Sequence, residues 1–519
     1  MPPGNPQRYV NPWVVAIAVM FGTFMEVLDT TVVNVSLPHI AGNLSASVDE
    51  AAWALTSYLV ANAVILPMTG WLANYFGRKR VLLAALAGFT SASLLCGMAP
   101  SLSVLILFRV IQGATGGALQ PLSQAVMLEA FPPSDRGKAM AFWGLGIVVA
   151  PMLGPVIGGW LTDNWSWRWV FYINLPVGLT SIVMTRIFLF DPPYIRRRAG
   201  GIDYWGIGLL ALGVGALQVL LDRGQEDDWF GSRRIIMLAI VAGACLTAFL
   251  LWELYTRNPV VHLRVFKERT YAAGVFLMTV LGFVLYGSLL LLPIFLQTLL
   301  GYPALNAGMA MAPRGLGSFL MMPIVGTVLS RLDPRKVLAV GLSGVAWTLY
   351  ELGRLNLNAG YWDIFWPQFV QGACLALIFV PLTTATMDRI SKEEMGNATS
   401  MFNLMRNIGG SMGIAGATTY LFRREQFHIN RLGAHVQASS PQTRGMVRGL
   451  RSAFMARGAD PHLALERAFA ALWGMVQRHA AMAAFVDTFL ALALVFLMVL
   501  PLLFLMKKPR HHTPGTAMH

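Results

Sequence analysis

Long apolar stretches, separated by short polar or basic loops, run through almost the whole chain. A bilayer core about 30 Å thick requires about 20 apolar residues per helix. The first stretch is too long for a cleaved signal peptide, and no A-x-A site follows it. The pattern predicts fourteen membrane-spanning helices, at 12–36, 50–73, 81–100, 102–128, 138–161, 168–190, 204–221, 234–255, 270–299, 304–330, 336–353, 363–387, 395–421 and 482–506.

Basic residues concentrate in alternate loops of this pattern. The loops on one side carry clusters such as Arg78–Arg80 and Arg196–Arg198, whereas the short loops on the other side carry only five arginines. Cytoplasmic loops are enriched in Lys and Arg, so both termini are expected in the cytoplasm. The long segment 422–481 then lies outside. Its basic residues do not contradict this orientation, because the rule holds for short loops and not for long ones.

The composition supports a polytopic membrane protein. The 519 residues are 56% hydrophobic and only 12% charged, against about 25% charged residues in soluble domains. Disorder is excluded because it requires low hydrophobicity and high charge. The net charge of +14 is explained by the basic loops that set the orientation of the chain in the membrane. No nucleic-acid partner is therefore expected. The three cysteines lie in apolar runs without metal-ligand spacing, so neither a metal site nor a disulfide is predicted.

Two ends of the chain resemble each other. The sequence R-V-I-Q-G at Arg109–Gly113 recurs as Q-F-V-Q-G at Gln368–Gly372, and the loop beginning at Gly70 recurs from Gly326. An all-α fold is therefore expected, with two parallel six-helix halves that rock about a central site and two extra helices between them. The predicted domains are 1–11 (cytoplasmic N-terminus), 12–190 (first bundle), 191–269 (linker with two helices), 270–506 (second bundle, including 422–481) and 507–519 (cytoplasmic tail).

Ionisable residues inside membrane spans are costly and indicate function. Glu26 and Asp29 share one face of the first span, and two adjacent carboxylates do not both ionise cheaply, so one is expected to carry a proton. Asp29 and Arg109 lie at matching depths, about 10 Å from the outer surface at 1.5 Å per residue. We therefore predict that Asp29, Glu26 and Arg109 couple transport to protons. A fixed structural ion pair, with Gln112 beside it, is the alternative.

Further polar and methionine positions are assigned to a substrate cavity. Arg314 and Arg406 lie near mid-membrane, where a cation would suit anionic or partly acidic substrates, although each arginine could instead satisfy a local carbonyl or amide. Methionine lines adaptable binding surfaces, but for any single methionine packing is the simpler role. The cavity residues predicted are Arg314, Arg406, Asn34, Gln112, Met25 and Met405.

Small residues repeat at nearly four-residue spacing along the fifth span, where they allow close helix approach. Two prolines among them remove helix hydrogen bonds and kink the span. The kinked seam suits a gate or an interface between the halves, and plain packing is the simpler alternative. The residues assigned to gating or packing are Gly146, Pro151, Gly154, Pro155, Gly158 and Gly159.

The energy source and the outer segment are predicted separately. No G-x-x-x-x-G-K-[ST] pattern occurs, so we expect the proton-motive force, rather than ATP or another cofactor, to drive the cycle. Residues 446–457 and 461–478 have helical patterning and are predicted as a pair of amphipathic helices. Such a pair could dock an outside partner protein or fold onto its own membrane face.

In order along the chain, several motifs resemble those of the fourteen-span drug/proton antiporters of the major facilitator superfamily. The motifs lie at Leu28–Pro38, Gly70–Arg80, Arg109–Gly117, Gly146–Gly159, Trp167–Gly178 and Leu221–Phe230. The last two resemble the EmrB-type subgroup. The motif of span four resembles the family signature that contains a proton-coupling arginine, here Arg109.

This resemblance implies proton-driven export of small hydrophobic toxic compounds by a protein embedded in the lipid bilayer. It also implies an EmrA-like periplasmic adaptor and a TolC-like outer-membrane channel. The cytoplasmic loop latch would involve Gly70, Gly77 and Arg78, but Asn74 stands where the family usually has an acidic residue, so Arg78 needs another partner. A dedicated exporter of one siderophore, fatty acid or antibiotic stays open, and a proton-coupled importer is disfavoured by analogy.

Overall fold

A computed structural model describes residues 11–191, 203–256, 259–329, 332–437 and 439–506. These ranges form helices joined by short loops and contain no strand. The predicted cytoplasmic tail and nearly all of the predicted N-terminal segment, together with parts of the 191–269 linker, lie outside the described residues. The fold is all-α, as the sequence predicts.

The first half contains nine helices. They are α1 (Pro12–Asn43), α2 (Val48–Ile65), α3 (Thr69–Phe76), α4 (Arg78–Gly97), α5 (Leu102–Gly116), α6 (Leu119–Ala130), α7 (Arg136–Asn164), α8 (Trp169–Tyr172) and α9 (Asn174–Phe188). A 3₁₀ turn at Leu66–Met68 joins α2 to α3.

The remaining helices follow after the linker. They are α10 (Tyr204–Arg223), α11 (Arg233–Tyr255), α12 (Arg269–Ile294), α13 (Ala304–Val328), α14 (Pro334–Leu352), α15 (Tyr361–Met387), α16 (Met395–Gly433), α17 (Pro441–Ala456) and α18 (Pro461–Val499). Short 3₁₀ helices occur at Trp229–Gly231, Leu263–Lys267 and Leu500–Leu505, and a π-helix extends α12 over Phe295–Leu299.

Local chemistry explains several of these boundaries. Ser47 and Glu50 form a capping box at the start of α2, in which the Glu50 amide donates to the Ser47 hydroxyl at 3.2 Å. This exchange satisfies two amides that the first helical turn leaves unpaired. Gly77 has φ +95°, a left-handed conformation that glycine adopts without steric cost. The chain therefore turns sharply between α3 and α4.

Each of the fourteen predicted segments coincides with a helix or a pair of consecutive helices. Among the described residues, eleven of these are long and apolar enough to cross a membrane. The predicted segments 304–330, 336–353 and 395–421 form α13, α14 and α16, which are not among those eleven. A multi-pass membrane fold is thus established, while the count of fourteen crossings stays a prediction.

Two helices are longer than predicted. Helix α16 continues to Gly433, and α18 runs without interruption from Pro461 to Val499. The prediction of a separate helix at 461–478 was wrong, because its apolar face is in phase with the span that follows and no proline or glycine turn interrupts it. Both helices have 39 residues and are about 58 Å long at 1.5 Å per residue, well beyond the thickness of a bilayer core.

Corresponding helices pack in corresponding ways in the two ends of the chain. Helix α1 packs against α7 and α9, and α12 packs against α16 and α18. The two inserted helices lie at one side, where α10 contacts α2 and α16 and α11 packs on α10. This arrangement agrees with the internal sequence repeat, and the exact domain boundaries stay a prediction.

The helix bundles meet closely at one end of the molecule, here named the closed end, where Gly70 approaches Gly396 and Gly137 approaches Gly326. A Cβ atom placed on Gly70 would lie 2.6 Å from the Asn397 backbone. A Cβ atom on Gly137 would lie 3.0 Å from the Gly326 carbonyl oxygen. Only glycine allows such backbone contact, so the repeat brings four of its matching glycines to the seam between the halves.

Candidate functional site

A buried ion pair joins α1 to α5. Arg109 Nη1 lies 2.5 Å from Asp29 Oδ2, and both side chains have no solvent exposure. Arg109 Nε also donates to the Ala54 carbonyl oxygen at 3.0 Å. Desolvating two charges is expensive, and the pair is tolerated only when further hydrogen bonds satisfy it. The contact that the matching depths predicted is therefore present.

Three more side chains extend this network. Asn174 Nδ2 donates to Asp29 Oδ1 at 2.7 Å, and Gln112 Nε2 donates to the same oxygen at 3.0 Å. The Tyr58 ring lies 4.1 Å from the Arg109 guanidinium carbon, in the position of a cation–π contact. Asp29 thus accepts from one cation and two amides, so a proton arriving on Asp29 would disturb several contacts at once.

Helix α5 reaches this position because Gly113 allows it to approach α2. A Cβ atom on Gly113 would lie 2.3 Å from the Tyr58 carbonyl oxygen. Any larger residue would therefore push α5 away and displace Arg109, one turn earlier on the same helix.

Glu26 belongs to a second network that crosses between the halves. Asn62 Nδ2 donates to Glu26 Oε1 at 2.9 Å, and Gln120 donates to Glu26 Oε2. The side-chain oxygen Oε1 of Gln120 in turn accepts a hydrogen bond from Arg406 on α16. Glu26 and Asp29 therefore have different hydrogen-bond partners, although they lie on the same helix, and the expectation that one of them carries a proton stays a prediction.

Arg314 on α13 is a buried cation in the second half. Its side chain is 5% exposed, and Nη2 donates to the Ser288 hydroxyl at 3.1 Å. Nε and Nη1 have no hydrogen-bond partner among the described residues. Leaving buried donors unpaired is costly, and the same two atoms of Arg406 are also unpaired among the described residues.

The other predicted cavity residues have varied positions. Asn34 is exposed, Met405 is half-buried, and Met25 is buried among apolar side chains. Gln112 bonds to Asp29 and accepts from Arg109. The structure therefore places Gln112 in the ion-pair network, beside Arg109, as the alternative of a structural ion pair predicted. It places Met25 in the apolar core.

The glycines of the fifth span bring α7 against α1, within one half. Cβ atoms placed on Gly146 and Gly154 would lie 1.4 Å from the Met20 methyl carbon and 2.0 Å from Thr31 Oγ1. Gly158 approaches the Val32 carbonyl oxygen in the same way, whereas Gly159 has no atom within 4 Å of its Cβ position. Pro151 and Pro155 lie inside the same helix. Gly159 is thus not part of this packing, and a gating role for the others stays a prediction.

This difference between neighbouring glycines predicts a clear contrast in stability. Gly154→Leu should lower the free energy of unfolding by about 1–3 kcal/mol, because overpacking forces side chains and backbone to shift. Gly159→Leu, which adds the same atoms to open space, should change it little. Thermal unfolding of both variants in the same detergent measures the contrast, and equal melting temperatures would contradict the packing described.

The loop residues predicted as a latch lie at the closed end. Arg78 pairs with Glu129 of α6, which supplies the partner that Asn74 does not. Asp191 accepts from the Lys79 amide at 2.7 Å and lies beside Gly77, whose Cβ position is 2.9 Å from Asp191 Oδ2. Together with the close approach of Gly70 to α16, these contacts hold the loop against both halves.

Several polar residues of the two networks were not predicted from the sequence. Asn62, Gln120 and Asn174 all donate to Glu26 or Asp29. A signal existed, because each is an amide inside an otherwise apolar stretch, where polar side chains need partners. Gln124 and Asn403 follow the same rule, since Asn403 Nδ2 donates to Gln124 Oε1 at 2.5 Å across the halves.

An apolar cleft of about 380 Å³ opens at the seam between α1, α7 and α13. Its walls therefore come from both halves. Residues that line it include Met20, Phe21, Phe24, Phe142, Leu145 and Phe319.

Comparison with known sequences identifies relatives over nearly the whole chain. A sequence model of the Major Facilitator Superfamily matches residues 19–414. The fatty acid resistance protein FarB of Neisseria gonorrhoeae is 38% identical over 506 residues, covering 96% of this chain and 97% of FarB. The multidrug export protein EmrB of Haemophilus influenzae is 42% identical over 428 residues, covering 82% and 83%. EmrB of Escherichia coli K12 is 39% identical over 439 residues, covering 83% and 85%.

Solved structures share the fold at much lower identity. The human organic anion transporter MFSD10 aligns with a TM-score of 0.62 at 14% identity, covering 96% of this chain and all of that one. The proton:xylose symporter XylE aligns with a TM-score of 0.58 at 14% identity, covering 93% and 94%. At this identity the likeness concerns the fold alone.

Proposed function

Since the chain belongs to the Major Facilitator Superfamily, and is thus a multi-pass membrane transporter and not an enzyme, we propose that it exports hydrophobic compounds in exchange for protons. The observation that carries the proposal is the fully buried Asp29–Arg109 pair, held by Asn174 and Gln112. A buried acid at membrane depth is a natural proton carrier. The export direction follows the relatives named for multidrug export.

Proton arrival on Asp29 removes the negative charge that neutralises Arg109. An unpaired buried cation is unfavourable, so Arg109 then favours the alternative packing of the two halves. Only such a difference between the two states shifts their equilibrium. Release of the proton on the opposite side of the membrane restores the Asp29–Arg109 pair. The chemical energy comes from the proton-motive force, and no ATP or other cofactor takes part.

The second network couples the same event to the interface. Glu26 and Arg406 reach each other through Gln120, so the three side chains form a hydrogen-bonded bridge between the halves. Protonating Glu26 weakens its acceptor strength, which loosens the bridge. We assign Asp29 and Arg109 to proton coupling and Glu26 to communication between the halves.

The substrates proposed are small hydrophobic compounds that enter from the bilayer or the cytoplasm. The apolar cleft between α1, α7 and α13 offers aromatic and methionine side chains for such molecules. Methionine and aromatic surfaces adapt to varied shapes, which suits broad rather than narrow selection.

A dedicated exporter of a fatty acid is the second candidate. It is favoured by the buried cations Arg314 and Arg406, and by the 38% identity to a fatty acid resistance protein over 96% of this chain. Growth of a deletion strain on a panel of dyes, quinolones, uncouplers and fatty acids separates the two. Sensitivity to fatty acids alone supports the dedicated exporter, and sensitivity to several classes supports broad export.

The partners proposed are an EmrA-like periplasmic adaptor and a TolC-like outer-membrane channel. In the proposed orientation both termini are cytoplasmic, the membrane is the inner membrane, and α17 with the extended ends of α16 and α18 projects outside. Phe469 and Trp473 on α18 are about half exposed, and exposed aromatic residues are frequent at protein interfaces. They provide a surface for the adaptor.

Purified protein in liposomes tests the proposal directly. We expect a hydrophobic dye to accumulate against its gradient only when a proton gradient is imposed. The side that corresponds to the outside of the cell must be more acidic than the cytoplasmic side. Collapsing the gradient with an ionophore should reduce accumulation to the level of empty liposomes. Accumulation that is equal with and without the gradient would rule out proton-driven export.

A further inference from the structure

The second half contains a counterpart of the Asp29–Arg109 site that lacks its acid. Gly113 contacts the Tyr58 carbonyl oxygen in the first half, and Gly372 contacts the Arg314 carbonyl oxygen in the second, with Cβ positions 2.3 Å and 1.7 Å from these atoms. Since Gly113 and Gly372 occupy matching places in the repeat, Arg314 takes the place of Tyr58.

The charges at the two sites are distributed differently. The repeat places Gln368 where the first half has Arg109. Val284 precedes Pro293 of α12 by the same interval that separates Asp29 from Pro38 of α1. The first half therefore has a cation and its carboxylate, whereas the second half has a cation on the neighbouring helix and a valine at the position of the acid.

Arg314 is accordingly left without a negative partner. No carboxylate of the described ranges lies within ion-pair distance of its guanidinium group. Nε and Nη1 are unpaired there, while Nη2 donates only to Ser288. A buried arginine with vacant donors requires an anion or an equivalent acceptor to offset its desolvation.

Further vacant polar atoms lie where α13 crosses α15. Gln368 and Gln371 are buried, with 1% and 0% exposure, and Gln368 Nε2 donates to Gln371 Oε1 at 3.3 Å. Gln371 Nε2 has no acceptor among the residues described. Its neighbour Gly372 is in backbone contact with Arg314. The crossing therefore offers vacant donors from two helices, which is the inventory that a carboxylate accepts.

We propose that Arg314, with Ser288 and Gln371, binds the carboxylate of an amphiphilic organic acid, which supplies the negative charge that the repeat lacks in this half. Ala310 and Leu292, which lie one helical turn from Arg314 and Ser288 along α13 and α12, are buried apolar residues. Such surroundings suit a carboxylate attached to an alkyl or aromatic body and disfavour a strongly hydrated inorganic anion. The inference rests on the proposed function for its substrate and adds the recognised group.

Matched ligands test this site without requiring transport. Binding of dodecanoate and of dodecanamide, which has the same chain but no charge, is measured by calorimetry on the detergent-purified full chain at pH 8. We expect dodecanoate to bind about tenfold more tightly, the scale of one charge-assisted hydrogen bond. In Arg314→Gln the ratio of the two affinities should fall to about one, and Arg314→Lys should keep part of it, because lysine retains the charge but loses the forked geometry.

Controls separate charge recognition from folding. Arg354→Gln removes an arginine that is 64% exposed and should keep the wild-type ratio. Gln371→Leu, a milder change in the site, should lower the ratio part of the way with a melting temperature close to wild type. Equal affinities in the wild type, an unchanged ratio in Arg314→Gln, a parallel loss of both ligands, or competition by inorganic phosphate as strong as by dodecanoate would each overturn the proposal.

The outcome is distinguishable from failure of the proposed function. Liposomes that show no gradient-driven accumulation refute proton-driven export, while the binding ratio still reports on the carboxylate site. Conversely, normal dye export with no preference for dodecanoate refutes only the site.

Discussion

Replacing Asp29 with asparagine is expected to abolish accumulation of substrate against its gradient. Asparagine keeps the shape of a protonated aspartate but does not release a proton, so the cycle loses its coupling step. Arg109 would then be a buried cation without its carboxylate, which costs about 3–5 kcal/mol of stability. The measurement is dye accumulation in liposomes under an imposed proton gradient, alongside downhill exchange without a gradient. We expect accumulation to fall to background while exchange persists.

Two further variants keep this result interpretable. Asp29→Asn combined with Arg109→Gln removes both charges, so it should recover stability while accumulation stays at background. Asp163→Asn changes an aspartate that is 70% exposed, and it should accumulate dye at the wild-type rate. If Asp29→Asn pumps dye uphill as fast as wild type, the ion pair is a structural element and the proton is carried elsewhere.

The sequence predicted the membrane fold and the central ion pair for physical reasons that the structure makes clear. A charged side chain is so costly at membrane depth that Asp29 and Arg109 had few possible partners except each other. The glycine repeat was informative for a similar reason, because close backbone approach leaves few alternatives to glycine. Both signals come from strict rules of the bilayer environment.

Other features depended on three-dimensional positions that spacing does not determine. Residues i and i+3 share a helix face, which suggested that Glu26 and Asp29 act together. In the structure Glu26 instead accepts hydrogen bonds from Asn62 and Gln120, and Asp29 forms an ion pair with Arg109. Which neighbouring helix meets each carboxylate follows from the packing of α2, α5 and α6 around α1. Likewise, the vacant donors of Arg314 became visible only with its surroundings.

The closed end is the place where the proposed alternation of the two halves would have to break contacts. Glycines matched by the repeat bring α3 onto α16 and α7 onto α13, on the side that the basic loops assign to the cytoplasm. Backbone contact of this kind is either made or broken, because no side chains fill an intermediate gap. Alternating access then requires these contacts to separate once in each cycle.

A disulfide across the closed end should therefore stop transport. Ala141 on α7 and Gly326 on α13 belong to opposite halves, and the Ala141 Cβ atom lies 3.0 Å from the Cβ position of Gly326. A disulfide needs about 3.5–4.5 Å between these atoms, so a small relaxation suffices. In a chain whose native cysteines are replaced by serine, Ala141→Cys with Gly326→Cys should lose dye accumulation on oxidation and regain it on reduction.

A second disulfide, placed within one half, provides the matched control. A Cβ atom on Gly344 would lie 3.4 Å from the Cβ of native Cys374, and both residues belong to the second half, on α14 and α15. Gly344→Cys, with Cys96 and Cys245 replaced, should form a disulfide that leaves accumulation unchanged, because rigid halves move as units. If both oxidised proteins transport equally, the closed end does not open during the cycle. Loss in both would indicate instead that each half must deform internally.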